Sequence, residues 1–76
     1  PKEATGKNTI QSPLPGIILD IRCQVGDTVK KGQTIMILEA MKMETNVLAP
    51  LPGTVNKIHV KEGQKVITGE LIAELE

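Results

Sequence analysis

The sequence contains two copies of one pattern, and this internal repeat limits the possible folds more than any other feature. Residues 12–39 align without a gap on residues 49–76, at an offset of 37 positions, and 11 of the 28 aligned pairs are identical. Stacked repeat proteins need about three or more units to bury a continuous core. Two copies therefore predict one closed domain with internal two-fold pseudosymmetry, in which each half needs the other.

Each copy follows a pattern of short β-strands separated by turns. It opens with Pro-Leu-Pro-Gly, at residues 13–16 and 50–53, and then alternates β-branched runs with glycine. Proline lacks the N–H that a sheet requires and glycine readily adopts positive φ, so both residue types end strands, here at the spacing of a small sandwich or barrel. We predict an all-β domain over residues 9–76. The turn glycines are expected at Gly26, Gly32, Gly63 and Gly69, with positive φ also at Gly16 and Gly53.

The spacing of the shared apolar positions predicts a bulge at the same place in each half. These positions are three residues apart and then two, with Ile18, Ile21 and Cys23 in the first half and Val55, Ile58 and Val60 in the second. An extra residue near Leu19–Asp20 and near Asn56–Lys57 would move the following side chains to the other face and bend the strand. Such bends make it easier for the sheets to close on each other.

The segment that joins the two copies gives conflicting local signals. Residues 33–49 contain no Gly or Pro, are rich in helix-forming residues and place apolar side chains at helical spacing. The repeat favours strands instead, because residues 35–39 correspond to residues 72–76. We therefore predict a β-hairpin whose turn lies at Met41–Lys42, midway between the two halves.

Charge and composition exclude several classes of function. Nine basic residues balance nine acidic ones, which argues against binding to nucleic acid or to an anionic membrane surface. The chain has no aromatic residue, one cysteine and one histidine, so base stacking, a disulfide and a four-ligand zinc site are not expected. A lone thiol, with no signal peptide or membrane-spanning run, predicts a cytoplasmic domain. The expected partner is another protein.

The predicted turn carries a motif of a known type. Ala40-Met41-Lys42-Met43 resembles the tetrapeptide around the biotin-accepting lysine of biotinyl domains, and the resemblance covers residues 9–76. These domains are the carboxyl carriers of biotin-dependent carboxylases, transcarboxylases and decarboxylases. The resemblance implies a flattened β-barrel of two four-stranded antiparallel sheets, with biotin joined to Lys42 by a separate biotin protein ligase. It also implies a biotin carboxylase or decarboxylase and a carboxyltransferase as partners, no catalytic residue in the chain and, for a eukaryotic source, the mitochondrial matrix as an alternative location.

The resemblance assigns roles to the side chains around Lys42. Ala40, Met41 and Met43 are expected to be recognised by the ligase or a partner, because flexible, polarisable methionines suit such surfaces. Met36 is expected in the core. Without the motif, Lys42 would be interpreted as an ordinary solvated surface lysine.

The other reactive side chains are interpreted as structural. Cys23 aligns with Val60 and is expected in the core, whereas His59 is expected at the surface. A catalytic pair of these two residues is therefore rejected, since buried structural thiols are unreactive. Glu39 and Glu44 flank the turn, and their role stays open.

Two other functions are considered beside the biotin carrier. A lipoyl carrier of a 2-oxo acid dehydrogenase or glycine cleavage complex has a similar fold, but usually shows Asp-Lys-Ala where this chain has Met41-Lys42-Met43. An unmodified barrel serving as an adaptor in an export pump would not need the lysine.

The placement of the domain within a longer enzyme is also an expectation. Some bacterial carriers of acetyl-CoA carboxylase have a protruding loop, called a thumb, inserted in the first half. The two halves of this chain align without any insertion, which makes the chain more similar to carriers of pyruvate carboxylase, transcarboxylase or sodium-pumping decarboxylases. Residues 1–8 are predicted to be a linker remnant. An end at Glu76, within the last predicted strand, favours a C-terminal position.

Overall fold

The computed structural model describes residues 8–76, which form eight β-strands. The strands are β1 (Thr9–Gln11), β2 (Gly16–Ile21), β3 (Thr28–Val29), β4 (Thr34–Ala40), β5 (Met43–Leu48), β6 (Gly53–Ile58), β7 (Lys65–Val66) and β8 (Leu71–Leu75). The predicted linker lies outside the described residues except for Asn8. Within the described range, no helix is long and apolar enough to cross a membrane.

The strands form two four-stranded antiparallel sheets. The terminal sheet has the order β1-β8-β6-β3 and contains the first and last strands, whereas the hairpin sheet has the order β5-β4-β2-β7 and contains the predicted turn between β4 and β5. The predicted all-β architecture is confirmed. The helix that local propensity suggested does not form, because β4 pairs with β5 on one side and with β2 on the other.

Backbone hydrogen bonds repeat at the offset found in the sequence. The Gly26 N–H donates to Val55 O at 2.8 Å, and the Gly63 N–H donates to Ile18 O at 2.7 Å. The same offset relates β2 to β6, β3 to β7, β4 to β8, and β1 to the end of β5. The two-fold relation therefore extends to residues 8–39 and 45–76, and residues 40–44 are the one described segment without a counterpart.

Both halves contain the predicted bulge. The pairing of β2 with β4 shifts between Ile18 and Asp20, and the pairing of β6 with β8 shifts between Val55 and Lys57. Leu19 and Asn56 are the extra residues, so the prediction is confirmed. A bulge bends its strand and increases the local twist. The two bends let the sheets curl over one shared core.

The space between the sheets is filled by aliphatic side chains. Those with almost no exposed surface are Ile18, Val29, Ile35, Met36, Leu38, Val55 and Ile72. The predicted core position of Met36 is confirmed. A domain of this size has a core that stabilises it by only about 3 to 5 kcal/mol, so single changes within the core have large consequences.

Glycine serves two different purposes in this fold. Gly26, Gly32, Gly63 and Gly69 have φ angles of 99°, 86°, 88° and 84°, which confirms them as turn glycines. The prediction of positive φ at Gly16 and Gly53 is wrong. A Cβ at Gly16 would instead overlap the carbonyl oxygen of Glu39. Glycine is required at Gly16 because β2 approaches the backbone of β4 too closely for a side chain.

Candidate functional site

The hairpin between β4 and β5 closes through a two-residue turn. Ala40 pairs with Met43, and the two residues between them have φ angles of 56° at Met41 and 67° at Lys42. Two consecutive positive φ angles are typical of the type I′ turn, which usually contains Asn and Gly. The predicted position of the turn is confirmed. Neither residue is suited to this conformation, which costs about 1 to 2 kcal/mol per residue.

The turn projects three long side chains into solvent. Lys42 is exposed, and the exposed fractions of Met41 and Met43 are 84% and 69%. Neither methionine folds back to pack on the barrel. Ala40 differs from its neighbours, because its side chain is buried in the core cluster. Within residues 40–43, the exposed side chains are therefore those of Met41, Lys42 and Met43.

Two carboxylates lie at the base of the hairpin. Glu39 and Glu44 are directly opposite each other on β4 and β5, and both are exposed. Like charges in this arrangement destabilise a sheet slightly. Within residues 8–76, neither carboxylate belongs to an ion pair. The base of the hairpin therefore presents concentrated negative charge below the Lys42 ammonium group.

The surroundings of Lys42 fit an amide-linked group such as biotin. Attachment requires a primary amine that an enzyme can reach and space beyond it for the attached group. Lys42 lies at the apex of the turn, its side chain is exposed, and it takes part in none of the ion pairs formed among the described residues. Because the attachment would be covalent, no enclosed binding cavity is needed.

A separate open cleft lies between two edge strands. Its volume is about 410 Å³, and it is lined by equivalent residues of the two halves, Thr9 with Asn46, Ile10 with Val47, Gln11 with Leu48 and Pro13 with Pro50. Neither Lys42 nor the two exposed methionines line it. The cleft follows from the pseudosymmetric packing of β1 and β5 and is not part of the hairpin site.

Cys23 and His59 do not form a catalytic pair. Cys23 is buried, as its alignment with Val60 predicts, and His59 is exposed, with Nε2 2.7 Å from Glu74 Oε2. Burial, with a smaller contribution from the Asp27 carboxylate, raises the pKa of the Cys23 thiol above its ordinary value of 9.0. The thiol is therefore a core side chain.

We expect the Cys23 thiol of the folded chain to react with 5,5′-dithiobis(2-nitrobenzoate) about 100-fold more slowly than that of the urea-unfolded chain, because modification requires opening of the core. The raised pKa keeps the folded thiol protonated while the unfolded thiol ionises. The free energy of unfolding should therefore decrease as the pH rises above about 9. Cys23→Val introduces the residue found at the equivalent position of the second half, Val60. This substitution should remove the thiol's contribution to the decrease of the unfolding free energy with pH. Equal reaction rates for folded and unfolded chain would contradict the prediction.

The hairpin lysine and the two-sheet fold agree with a family match. The profile of a family described as "Biotin-requiring enzyme" matches residues 8–75. The chain belongs to this family. Membership confirms the predicted resemblance and, with it, the carrier class of the domain and biotin as the cofactor of that class.

The relatives of this domain include carrier proteins and carboxylases. The biotin carboxyl carrier protein of Streptococcus mutans is 51% identical over 67 residues, covering 88% of this chain and 52% of that protein. The pyruvate carboxylase of Bacillus subtilis is 42% identical over 74 residues, covering 97% of this chain and 6% of that protein. The chain thus spans about half the length of the carrier protein and a small fraction of the length of the pyruvate carboxylase.

Solved structures of carboxylases contain the same fold. The domain matches part of a single-chain, multi-domain long-chain acyl-CoA carboxylase with a TM-score of 0.86 and 26% identity. The match covers 96% of this chain and 7% of the carboxylase. The matched part of that enzyme is therefore a small segment with the two-sheet architecture described above.

The sequence interpretation missed two properties of the hairpin. It did not anticipate the left-handed conformation of Met41 and Lys42, because neither residue type indicates a type I′ turn. It also grouped Ala40 with the recognition residues, although the position alternates with exposed Glu39 on β4 and is buried. Strand alternation counted from Leu38 would have placed Ala40 on the core side.

Proposed function

We propose that the chain is a biotin carboxyl carrier domain in which biotin is attached through an amide bond to Nζ of Lys42. The position of Lys42 supports this proposal most directly. It lies at the exposed apex of residues 40–44, the one described segment that the two-fold architecture does not account for. A segment that the repeat does not duplicate, and that contains unfavourable backbone conformations, is more consistent with function than with stability.

The chain's own residues hold and present the attachment site. Lys42 must lose a proton before Nζ can attack the biotin carboxyl carbon, which a separate ligase activates with ATP, and the activating group leaves as the amide forms. Met41 and Met43 offer exposed, flexible contacts to that ligase. Ala40 anchors the turn to the core from beneath. Bound biotin supplies a ring nitrogen that accepts a carboxyl group and later releases it.

The relatives support a place in a biotin-dependent enzyme. Among them are a carrier protein and pyruvate carboxylases. The domain would carry the carboxyl group from a biotin carboxylase, or a decarboxylase, to a carboxyltransferase. Tethering to one mobile domain raises the effective concentration of the carboxyl group at the second site. Pyruvate carboxylase is one candidate parent enzyme and an enzyme with a separate carrier protein is the other, since the carrier protein is 51% identical to the chain and two pyruvate carboxylases are 42% and 44% identical.

Intact-mass measurement tests the attachment. The chain is incubated with biotin protein ligase, ATP and biotin, and in parallel with lipoate ligase, ATP and lipoate. We expect one biotin adduct per chain and no lipoyl adduct. A folded chain that takes up no biotin would overturn the proposed function, and a lipoyl adduct without a biotin adduct would identify a lipoyl carrier.

A further inference from the structure

The cleft between β1 and β5 has a size and a lining that suit a small neutral group. Its volume of about 410 Å³ lies within the range typical of small-molecule sites. None of the lining residues is charged, although charged residues make up 24% of the chain. Burial of a charge without an opposite charge beside it is costly. A group that enters this cleft should therefore be uncharged.

The polar side chains of the cleft are free to bind such a group. Within residues 8–76, the side chains of Thr9, Gln11 and Asn46 make no hydrogen bond to another protein group. Each of the three can both donate and accept a hydrogen bond. Buried Ile10 and Val47 supply apolar surface beside them. The cleft therefore combines neutral hydrogen-bonding groups with an apolar contact area.

The ring system of biotin has the matching properties. Its ureido group carries one carbonyl acceptor and two N–H donors and has no charge. The fused thioether ring and the aliphatic chain of biotin are apolar. Small-molecule sites typically pair mostly apolar contacts with a few polar groups that fix the orientation of the ligand. The lining of the cleft meets both requirements for this ring.

The acceptor lysine lies within reach of the cleft. Asn46 follows Lys42 by four residues, and strand β5 forms most of the connection between them. Four extended residues span at most about 14 Å. The bonds from the Lys42 Cα through Nζ to the biotin ring also span about 14 Å when they are extended. A biotin ring attached to Lys42 can therefore reach the part of the cleft that Asn46 lines.

We propose that the cleft is a docking site for the uncarboxylated biotinyl group of Lys42, which rests there between turnovers. This inference rests on the proposed function. Thr9, Gln11 and Asn46 hydrogen-bond to the ureido group, and the apolar part of biotin packs on Ile10 and Val47. Tethering brings the effective concentration of the ring at the cleft to the millimolar range, so weak intrinsic binding is enough to populate the docked state.

Carboxylation of biotin removes the preference for the cleft. The carboxyl group replaces one ureido N–H and adds a negative charge, and the lining offers no basic side chain to compensate for it. Glu44 adds repulsion, because it precedes Asn46 by two residues and lies on the same face of β5. Carboxybiotin therefore leaves the cleft, and the carboxylated form is the one that the domain presents to a carboxyltransferase.

Nuclear magnetic resonance of the chain before and after biotinylation tests the docking. We expect backbone amide shifts to change at residues 9–11 and 46–48 as well as at residues 40–44. Nuclear Overhauser contacts should join biotin ring protons to the methyl groups of Leu48. Carboxylation by biotin carboxylase with ATP and bicarbonate, which releases ADP and phosphate, should return the shifts at residues 9–11 and 46–48 to those of the unmodified chain.

A single substitution tests the role of the polar lining. Asn46→Leu keeps the approximate size of the side chain but removes its hydrogen bonds to the ureido group. Asn56→Leu is the matched control, because Asn56 is also exposed but lies on β6, outside the cleft, and its counterpart in the first half is Leu19. Both variants should take up biotin at the rate of the unchanged chain and melt within a few degrees of it.

The rate of streptavidin binding reports the docked fraction of the biotinylated chains. A docked ring is withheld from streptavidin, so the association rate constant falls in proportion to the free fraction. We expect Asn46→Leu to raise this rate constant about twofold or more, by increasing the free fraction. Asn56→Leu should leave it unchanged.

Other outcomes separate the possible errors. If the unchanged chain takes up no biotin, the proposed function fails and the docking proposal fails with it. If biotin is attached but the shift changes stay within residues 40–44, only the docking site is wrong. Equal streptavidin rates for Asn46→Leu and the unchanged chain would also overturn it. Shift changes at the cleft that grow with chain concentration would show binding of another chain's biotin and contradict docking of the chain's own arm.

Discussion

Replacing Lys42 with arginine is expected to abolish biotin incorporation, although seven of the eight lysines remain in the chain. Arginine keeps the positive charge and the length of the side chain, but its guanidinium does not deprotonate at neutral pH and cannot act as the amine nucleophile. The turn should be unaffected, since the side chain at this position is exposed. Intact mass after incubation with ligase, ATP and biotin should show only the unmodified chain.

The matched control for Lys42→Arg is Lys57→Arg. Lys57 is also exposed, but it lies on β6 beside the second bulge and not on the hairpin. This variant should take up one biotin at the rate of the unchanged chain. An adduct that persists in Lys42→Arg, or one that disappears in Lys57→Arg, would show that attachment does not occur at the hairpin apex.

Gly16→Ala is expected to destabilise the domain by about 3 kcal/mol or more, enough to unfold much of it. The added Cβ would overlap the backbone carbonyl oxygen of Glu39 and press on the Leu38 side chain. Backbone inside a sheet cannot move without breaking its neighbouring pairings, so β2 would have to separate from β4. Urea unfolding followed by circular dichroism measures the change.

Gly53→Ala, at the equivalent position of the other half, provides the comparison. Its Cβ would lie 3.0 Å from Glu76 O, a distance at which the neighbouring atom has to move by only a few tenths of an ångström. We expect a loss of less than about 1 kcal/mol there, because the contact is far looser than the overlap at Gly16. Equal and small effects of the two substitutions would contradict the close approach of β2 to β4.

The features that follow from the repeat were predictable from sequence. A repeated pattern constrains both halves at once. The same change in the spacing of apolar residues occurs at Leu19 and at Asn56, and together the two occurrences indicate a bulge more firmly than either would alone. The hairpin at Met41–Lys42 was predictable for a related reason. A closed pair of equivalent halves needs one connection between them, and only one segment was left to supply it.

The properties that depend on distances across the sheets were not predictable. Gly16 and Gly53 occupy identical Pro-Leu-Pro-Gly motifs, yet only at Gly16 would a Cβ overlap a strand backbone. Strand β1 has three residues and no marked pattern, and its position depends on pairing with β8, more than 60 residues later in the chain. Long-range pairing of this kind decides strand placement more than local preference does.

The equivalence of the two halves also means that the position of the hairpin is interchangeable with that of the chain ends. Leu75 N donates to Asn8 O at 2.8 Å, at the register where Leu38 meets Thr45 across the hairpin. A five-residue Ala-Met-Lys-Met-Glu link from Glu76 to Asn8 would therefore close the second pair of strands as residues 40–44 close the first. A circular permutant opened within residues 40–44 and joined by this link would keep the barrel and carry its acceptor lysine on the opposite half.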